Sequence, residues 1–176
     1  MKKIPGMNCC MECGTKLIMK ELKNEGLIPY CETCKDFRFP VFNTGVSMIV
    51  RHREKILLIK QYGGSEYILT AGYVNKGEDA EDAAVREIKE ELGLEVSELH
   101  FNHSHYYGPS NTLMLNFIAE VTSADVRPNE EIDSFSWFTE DEARGNIRKN
   151  SLARAFLIGY LDHVYEFPDQ PALPYK

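Results

Sequence analysis

Three glutamates, Glu87, Glu90 and Glu91, are the side chains in this sequence best suited to chemistry. Their i, i+3 and i+4 spacing places them on one face of a helix, since successive helical residues turn by about 100°. A solvated acidic face is the ordinary interpretation, although like charges so close together repel. The second interpretation is a site for a divalent cation, because hard oxygen ligands suit Mg²⁺ or Mn²⁺. We favour the cation site, because acidic groups on surface helices are usually interleaved with basic ones.

The helix that carries these glutamates has clear ends in the sequence. Asp79 is a good N-cap residue, and Gly93 stands where a left-handed residue is needed to end the helix. Between them, apolar residues recur at four-residue spacing at Ala84, Ile88 and Leu92. This spacing predicts an amphipathic helix with one apolar stripe beside the acidic face.

The segment from Gly72 to Leu94 resembles the Nudix box. The box runs glycine, five residues, glutamate, seven residues, Arg-Glu, an aliphatic residue, any residue, Glu-Glu, any residue, glycine and an aliphatic residue. Every fixed position is filled, by Gly72, Glu78, Arg86, Glu87, Ile88, Glu90, Glu91, Gly93 and Leu94. The resemblance implies a hydrolase of a nucleoside diphosphate linked to another moiety. It also implies that the three helical glutamates hold the metal ions, while Glu78 and Arg86 brace the loop–helix–loop.

Four cysteines near the start of the chain have the spacing of a metal site. Cys10 and Cys13 form one Cys-x-x-Cys pair, and Cys31 and Cys34 form another, with 17 residues between the pairs. Thiolates are soft ligands, so the two pairs predict a four-thiolate Zn²⁺ site. The alternatives are two disulfides, which a reducing cytoplasm disfavours, or a redox pair, for which no βαβ unit is evident. Cys9 is left as a spare thiol.

The segment between the two cysteine pairs is predicted to be a hairpin that needs its metal. Apolar residues at 17–19 and 27–30 flank a polar turn at 23–26. A segment of about 40 residues with so few apolar groups does not fold alone. A four-cysteine site also leaves no open position for substrate or water, so we expect the zinc to be structural.

The composition is that of an ordinary globular protein. The chain has 176 residues, of which 43% are hydrophobic and 27% charged, enough for one core and a small module. The net charge of -7 argues against broad nucleic-acid binding, so we expect a small-molecule nucleotide substrate instead. No apolar run approaches the roughly 20 residues that span a bilayer, and no apolar region follows Lys2 and Lys3. We therefore expect a cytoplasmic protein without a membrane partner.

The remaining pattern predicts an α/β sandwich with a mixed sheet and helices on both sides. Strands are expected at 46–50, 56–60, 67–69, 99–107, 113–121 and 132–138. A helix is expected to begin with a capping box at Thr139, and a closing helix to run from Ser151 to Tyr165. The Nudix resemblance implies the same α/β/α fold. The predicted domains are a zinc ribbon at 1–40, a Nudix hydrolase domain at 41–166 and an extended tail at 167–176.

A zinc ribbon that leads directly into a Nudix domain is similar to the NAD(H) pyrophosphatases. Phe39-Pro40, Ala71-Gly72-Tyr73-Val74 and Trp137-Phe138 carry this closer resemblance. The acid before the Trp-aromatic pair is an additional metal ligand in that family, which implies this role for Glu131. Glu130 is the alternative, and a plain surface acid is the ordinary interpretation.

The segment after the box departs from that family. Its Ser-Gln-Pro-Trp-Pro-Phe segment, which marks specificity for NAD(H), is matched cleanly here only at Ser104. Tyr107 falls at the position of the Trp, directly before a Gly-Pro turn signal. We therefore expect Tyr107 to stack on a base or a nicotinamide-like ring of the substrate. Packing of this tyrosine against a neighbouring strand is the alternative.

The resemblance implies a metal-dependent hydrolase in which water is the nucleophile. Glu87, Glu90, Glu91 and Glu131 are candidates for the acid that takes the proton, and the sequence leaves that choice open. The expected substrate is an NAD(H)-like dinucleotide or a nucleotide sugar, with ADP-ribose or a nucleoside triphosphate as alternatives. A further alternative is a non-catalytic regulator that senses a nucleotide with the Nudix fold and binds nucleic acid with the ribbon. The intact glutamates and the acidic charge balance argue against it.

A homodimer is expected on two grounds. The NAD(H) pyrophosphatases pair through the region of the ribbon, and the resemblance implies the same here. In addition, a ribbon this small leaves Phe37, Phe39 and Phe42 without enough apolar cover.

Overall fold

The computed structural model describes residues 7–169. The chain divides into two compact units, and the boundary between them along the sequence falls between Phe42 and Asn43. In the first unit, β1 (Ile18–Leu22), β2 (Gly26–Cys31) and β3 (Asp36–Phe37) form an antiparallel sheet in that order. Polar residues turn the chain between β1 and β2, with positive φ at Asn24 and Gly26. The predicted hairpin is therefore confirmed.

One mixed sheet of six strands forms the centre of the second unit. The strands are β4 (Asn43–His52), β5 (Lys55–Gln61), β6 (Thr70–Tyr73), β7 (Val96–Tyr107), β8 (Thr112–Val121) and β9 (Ile132–Phe138). Their order is β7-β8-β4-β5-β9, and β6 pairs with β4. The β4–β8 pair is parallel and the other pairs are antiparallel, so the sheet is mixed as predicted.

Helices cover both faces of this sheet. On one face, α1 (Ala80–Leu92) buries its apolar stripe against β4 residues such as Val46 and Met48. On the other face lie α2 (Glu140–Asn146) and α3 (Leu152–Asp162), with Phe156 packed near Ile49. Because side chains alternate along a strand, β4 supplies apolar groups to both cores. The result is the predicted α/β/α sandwich.

Two predicted boundaries are wrong. The strand expected at 67–69 lies instead at Thr70–Tyr73, because pairing with β4 begins only at Thr70, opposite Met48. Residues 67 and 68 make isolated bridges only. The closing helix ends at Asp162 and not at Tyr165, because His163 takes a left-handed φ of 58°. The capping box at Thr139 is confirmed by both of its hydrogen bonds with Glu142.

The segment from residue 164 to 169 packs over the same sheet face as α3. The His105 ring stacks on Phe167 with centroids 3.8 Å apart, and His105 Nε2 lies 2.7 Å from Asp169 Oδ1. The Tyr165 hydroxyl donates to Asn102 Oδ1 at 2.6 Å. The start of the predicted tail is thus packed structure, and positions 170–176 lie outside the described residues.

Of the helices within residues 7–169, none combines the length and apolar content that a membrane crossing requires.

Candidate active site and metal centres

The first feature of the site is a close approach between β6 and α1 at Gly72. A Cβ atom at this position would lie 2.1 Å from Cδ of Glu87, far inside van der Waals contact. The absence of a side chain therefore lets the Glu87 carboxyl group lie directly against the strand. The Glu87 side chain is only 14% exposed.

Arg86 and Glu78 brace the loop between β6 and α1. Arg86 donates from Nε to Glu78 Oε1 at 2.6 Å and from Nη2 to Glu78 Oε2 at 3.0 Å. The same Nη2 donates to the Tyr73 carbonyl at 3.0 Å, and the Asn75 amide donates to Glu78 at 2.8 Å. The Arg86 guanidinium, with help from that amide, lowers the pKa of Glu78 to about 2. This is the brace that the resemblance implies.

Arg86 also contacts two of the three helical glutamates. Its Nη1 lies 2.8 Å from Glu87 Oε1 and 3.1 Å from Glu90 Oε2. One cationic nitrogen thus offsets part of the repulsion between these two carboxylates. Glu90 remains 58% exposed, so it is open to solvent and to a ligand.

Glu91 is in a different environment from the other two. It is only 5% exposed, and its Oε2 has no hydrogen-bond partner among the described residues. Burial raises the pKa of Glu91 to about 8, with further contributions from Glu87, Glu131 and Glu90. A buried carboxylate without a partner is costly, and a divalent cation is the partner that would satisfy it. The residues present therefore fit a cation site.

The burial of Glu91 was missed from the sequence, although a signal was present. Glu91 stands three residues after Ile88 and seven after Ala84, both of which lie on the apolar stripe. This spacing places it on the stripe itself and not beside it. Asp79 occupies the predicted N-cap position, but its side chain makes no capping hydrogen bond.

Glu131 reaches the same acidic face from the loop before β9. The Asn129 amide donates to the Glu91 carbonyl at 2.9 Å, which fixes this loop to the end of α1. The Glu131 amide in turn donates to Asn129 Oδ1 at 2.9 Å. The Glu131 charge is near enough to raise the pKa of Glu91. No side-chain hydrogen bond or ion pair of Glu130 is found within residues 7–169, which favours Glu131, and the choice between the two acids stays a prediction.

Tyr107 occupies the last position of β7, opposite Thr112 on β8, and is partly buried. Strand alternation places it on the same face as His105, two residues earlier, which is the face opposite α1. No hydrogen bond or ring contact joins its side chain to the glutamates of α1 in the described part of the chain. Its role in substrate binding stays a prediction.

The four predicted cysteine ligands lie together in the first unit. The ligand atoms of Cys10, Cys13, Cys31 and Cys34 all lie within 4.8 Å of one another. In residues 7–169 this is the one group of cysteine, histidine or acidic side chains gathered so closely. The sulfur atoms of Cys13 and Cys31 lie 3.5 Å apart, far longer than a disulfide bond, and all of these cysteines are free thiols. The cluster can hold a zinc ion, and Cys9 is exposed and outside it.

The electrostatics of this cluster also fit a cation. The Arg38 Nε donates to Cys10 Sγ at 3.2 Å and lowers the pKa of that thiol to about 6. Neighbouring sulfurs, Cys13 first and Cys31 next, raise the pKa of Cys34 to about 12. Thiols so close together cannot all ionise unless a positive ion joins them. A bound metal ion would supply that charge.

Comparison with known protein families shows to which family this chain belongs. The family model of the NUDIX domain matches residues 41–157 of this chain. The chain belongs to the Nudix family. The matched region includes all six strands of the large sheet, α1 and the start of α3. The box glutamates therefore lie inside a Nudix domain, and the four cysteines precede it.

Curated relatives of this Nudix protein include enzymes named NAD-capped RNA hydrolase NudC. The protein from Pseudomonas aeruginosa is 30% identical over 155 residues, and that from Vibrio vulnificus is 27% identical over 154 residues. Each alignment covers 86% of this chain but only 55% and 58% of those relatives. The chain therefore spans somewhat more than half the length of the relatives it matches.

The same fold is found among solved structures. A NUDIX hydrolase from Nitrosomonas europaea matches with a TM-score of 0.63 at 20% identity, and the match covers 92% of this chain and 96% of that one. Identity this low concerns the fold alone. The match confirms the Nudix sandwich predicted from the sequence.

Proposed function

We propose that this Nudix protein is a metal-dependent hydrolase of the pyrophosphate in a nucleoside diphosphate linked to another moiety, with NAD(H)-like dinucleotides as the expected substrates. The observation that carries the proposal is the buried, unpartnered carboxylate oxygen of Glu91 within a complete Nudix box. A catalytic cation would satisfy this oxygen. The relatives named NAD-capped RNA hydrolases support an NAD-type substrate.

The four carboxylates of the acidic face would hold Mg²⁺ or Mn²⁺, and they are Glu87, Glu90, Glu91 and Glu131. Such an ion, when bound, neutralises charge on the pyrophosphate and lowers the pKa of a water molecule. The water oxygen forms a bond to one phosphorus, and the bridging P–O bond breaks. One of the four carboxylates takes the proton from water. A dinucleotide would thus give two nucleoside monophosphates.

The ribbon is proposed to hold one structural Zn²⁺ on its four cysteines. Four thiolates would fill the coordination positions of the Zn²⁺ ion. This supports a structural role, because no coordination position is left for a substrate. The ribbon also has five acidic and five basic side chains between positions 7 and 42, which argues against an electrostatic platform for nucleic acid. A substrate at the end of an RNA chain would therefore be held at its NAD-like end.

A substrate panel with Mg²⁺ or Mn²⁺ tests the proposed activity. It contains NAD⁺, NADH, an NAD-capped RNA, ADP-ribose and nucleoside triphosphates, with products identified by mass. Two monophosphates from a dinucleotide are expected. Hydrolysis of ADP-ribose or of triphosphates alone would favour those alternatives. A protein that hydrolyses none of them but shifts a nucleic acid on a gel would favour the regulator.

A matched pair of variants ties this activity to the acidic face. Glu90→Gln should lower kcat/KM by about a hundredfold or more, because a lost ligand charge removes several kcal/mol of transition-state stabilisation. Glu81→Gln is the control, since Glu81 is an exposed acid in the first turn of the same helix. If Glu90→Gln folds and keeps the wild-type turnover, the metal assignment is wrong.

A further inference from the structure

The turn after β5 reaches the acidic face through one side chain, Tyr62. Its hydroxyl donates to Glu131 Oε2, while the residue as a whole is 72% exposed. The hydrogen bond to Glu131 raises the pKa of Tyr62 to about 12, and the charges of Glu91 and Glu87 contribute to the shift. The tyrosine hydroxyl therefore contacts Glu131 directly, although no motif includes Tyr62.

The main-chain conformation around Tyr62 places its hydroxyl at the Glu131 carboxylate. Tyr62 has a left-handed φ of 51° and Gly63 one of 72°, a costly conformation for a tyrosine. Two hydrogen bonds hold this turn in place, one to β9 and one to the residue before β9. The Tyr62 amide donates to the Glu131 carbonyl at 3.4 Å, and the Gly63 amide donates to Asp133 Oδ2 at 2.6 Å. The strained turn is thus fixed to the strand that follows Glu131.

Hydrogen bonds also fix the backbone of Glu131. Only the side chain of Glu131 can then change its orientation. Asn129 joins this loop to the Glu91 carbonyl and accepts from the Glu131 amide. The carboxyl group beyond that backbone is exposed and carries the hydrogen bond from Tyr62. A flexible carboxylate with one donor is oriented by that donor.

We propose that Tyr62 is a positioning residue that fixes the orientation of the Glu131 carboxylate for metal binding. The inference rests on the proposed function, because it matters only if these acids bind a cation. Without the hydroxyl, the Glu131 side chain samples its other rotamers, and the cation loses a preorganised ligand.

Binding of Mn²⁺ without substrate tests this role directly. Free Mn²⁺ is measured by electron paramagnetic resonance during a titration of each protein. Tyr62→Phe should weaken Mn²⁺ binding about tenfold, in the range typical of lost outer-shell partners of a metal ligand. The melting temperature should stay nearly unchanged, because the lost hydrogen bond is exposed.

Tyr67→Phe is the matched control. Its hydroxyl also bonds to β9, at 3.1 Å from Ser136 Oγ, but Tyr67 packs with the core under α2 and α3. This variant should bind Mn²⁺ as the wild type does. Equal Mn²⁺ affinities for Tyr62→Phe and wild type would overturn the inference.

A double-mutant cycle shows whether Tyr62 acts through Glu131. In a Glu131→Ala background, adding Tyr62→Phe should cause no further loss of Mn²⁺ affinity, since the partner is already gone. Fully additive losses would overturn the positioning role. Failure of the proposed function gives a different result: wild type would bind no Mn²⁺, or Glu91→Gln would bind it equally well.

Discussion

At the scale of single residues, one arginine and one glycine arrange the acidic face. Arg86 contacts Glu78, Glu87 and Glu90 at distances between 2.6 and 3.1 Å. Gly72 leaves the space that the Glu87 carboxyl group fills. Neither residue needs to touch a substrate for this effect. Substitution of either should disturb the metal site while the fold survives.

Gly72→Ala should lower hydrolytic activity at least tenfold with the fold intact. The new Cβ would collide with the Glu87 carboxyl group, which is a flexible end that can move aside. Circular dichroism and Mn²⁺ titration beside the activity assay would check this. Gly145→Ala is the control, because a Cβ there meets nothing within 4 Å. Gly145 lies inside α2, so its replacement should add roughly 0.8 kcal/mol of stability.

Tyr107→Ala should raise KM for dinucleotides about tenfold if the ring stacks on the substrate, since base stacking contributes about 1–3 kcal/mol. The melting temperature should then stay nearly constant. Steady-state kinetics and thermal unfolding of the same preparation would check both. An unchanged KM with a fall of several degrees would show that Tyr107 is a packing residue.

At the scale of elements, the segment after α3 completes the sheet face opposite α1. The nearest aromatic neighbours of Phe167 are His105, on which it stacks, and Phe156, which it meets edge-on with ring centroids 5.4 Å apart. Gly159 of α3 makes room for Tyr165, since a Cβ there would lie 2.1 Å from the ring. A segment with little secondary structure of its own thus covers apolar surface that β7 and α3 leave open.

Phe167→Ala should destabilise the protein by roughly 2 kcal/mol, somewhat less than the loss of a fully buried phenylalanine. A chain of this size should then melt about 5 °C lower. Differential scanning calorimetry would measure the shift. Val164→Ala is the control in the same segment, because Val164 is exposed and should change little. Equal shifts for both variants would mean that this segment adds no packing energy.

At the scale of the whole molecule, the chain consists of two units with different sources of stability. The unit from Asn43 onward has two apolar cores, one on each side of its sheet. Within residues 7–42, the buried hydrophobic residues are Cys10 and Cys31. Because that unit lacks an apolar core, we expect its stability to depend on a metal ion bound by its thiols.

Freshly purified, reduced protein should contain one Zn²⁺ per chain. Cys31→Ser should lose this metal and unfold the ribbon, because a three-thiolate site binds it much more weakly. Cys9→Ser should keep it, since Cys9 is exposed and outside the cluster. Elemental analysis and proteolysis of the ribbon would compare the two. Wild-type protein without zinc would contradict the assignment.

The protein should be a homodimer in solution. Phe39 and Phe42, at the end of the first unit, are 54% and 42% exposed, and Val41 between them is 55% exposed. Exposed large apolar side chains of this kind are typical of an interface when they adjoin one another. Light scattering at micromolar concentration should give about twice the chain mass of 20.2 kDa. A value equal to one chain would refute the dimer.

The sequence by itself determined the parts that depend on local spacing. Residue order alone places Glu87, Glu90 and Glu91 on one helical turn, and Asp79 and Gly93 mark the ends of that helix. The two Cys-x-x-Cys pairs predicted a cluster that the structure brings together. The alternation of apolar and polar residues, together with turn-forming residues, located most strands. Both signals depend on residues only a few positions apart.

Only the tertiary structure decided which groups from distant segments meet. Strand β6 begins at Thr70 because its pairing with β4 begins there. Local strand propensity does not determine this register. Glu91 is buried without a hydrogen-bond partner because α1 packs onto the sheet. Tyr62 meets Glu131 across 69 residues of sequence. Such contacts form only when the whole sheet is assembled, so no spacing along the chain encodes them directly.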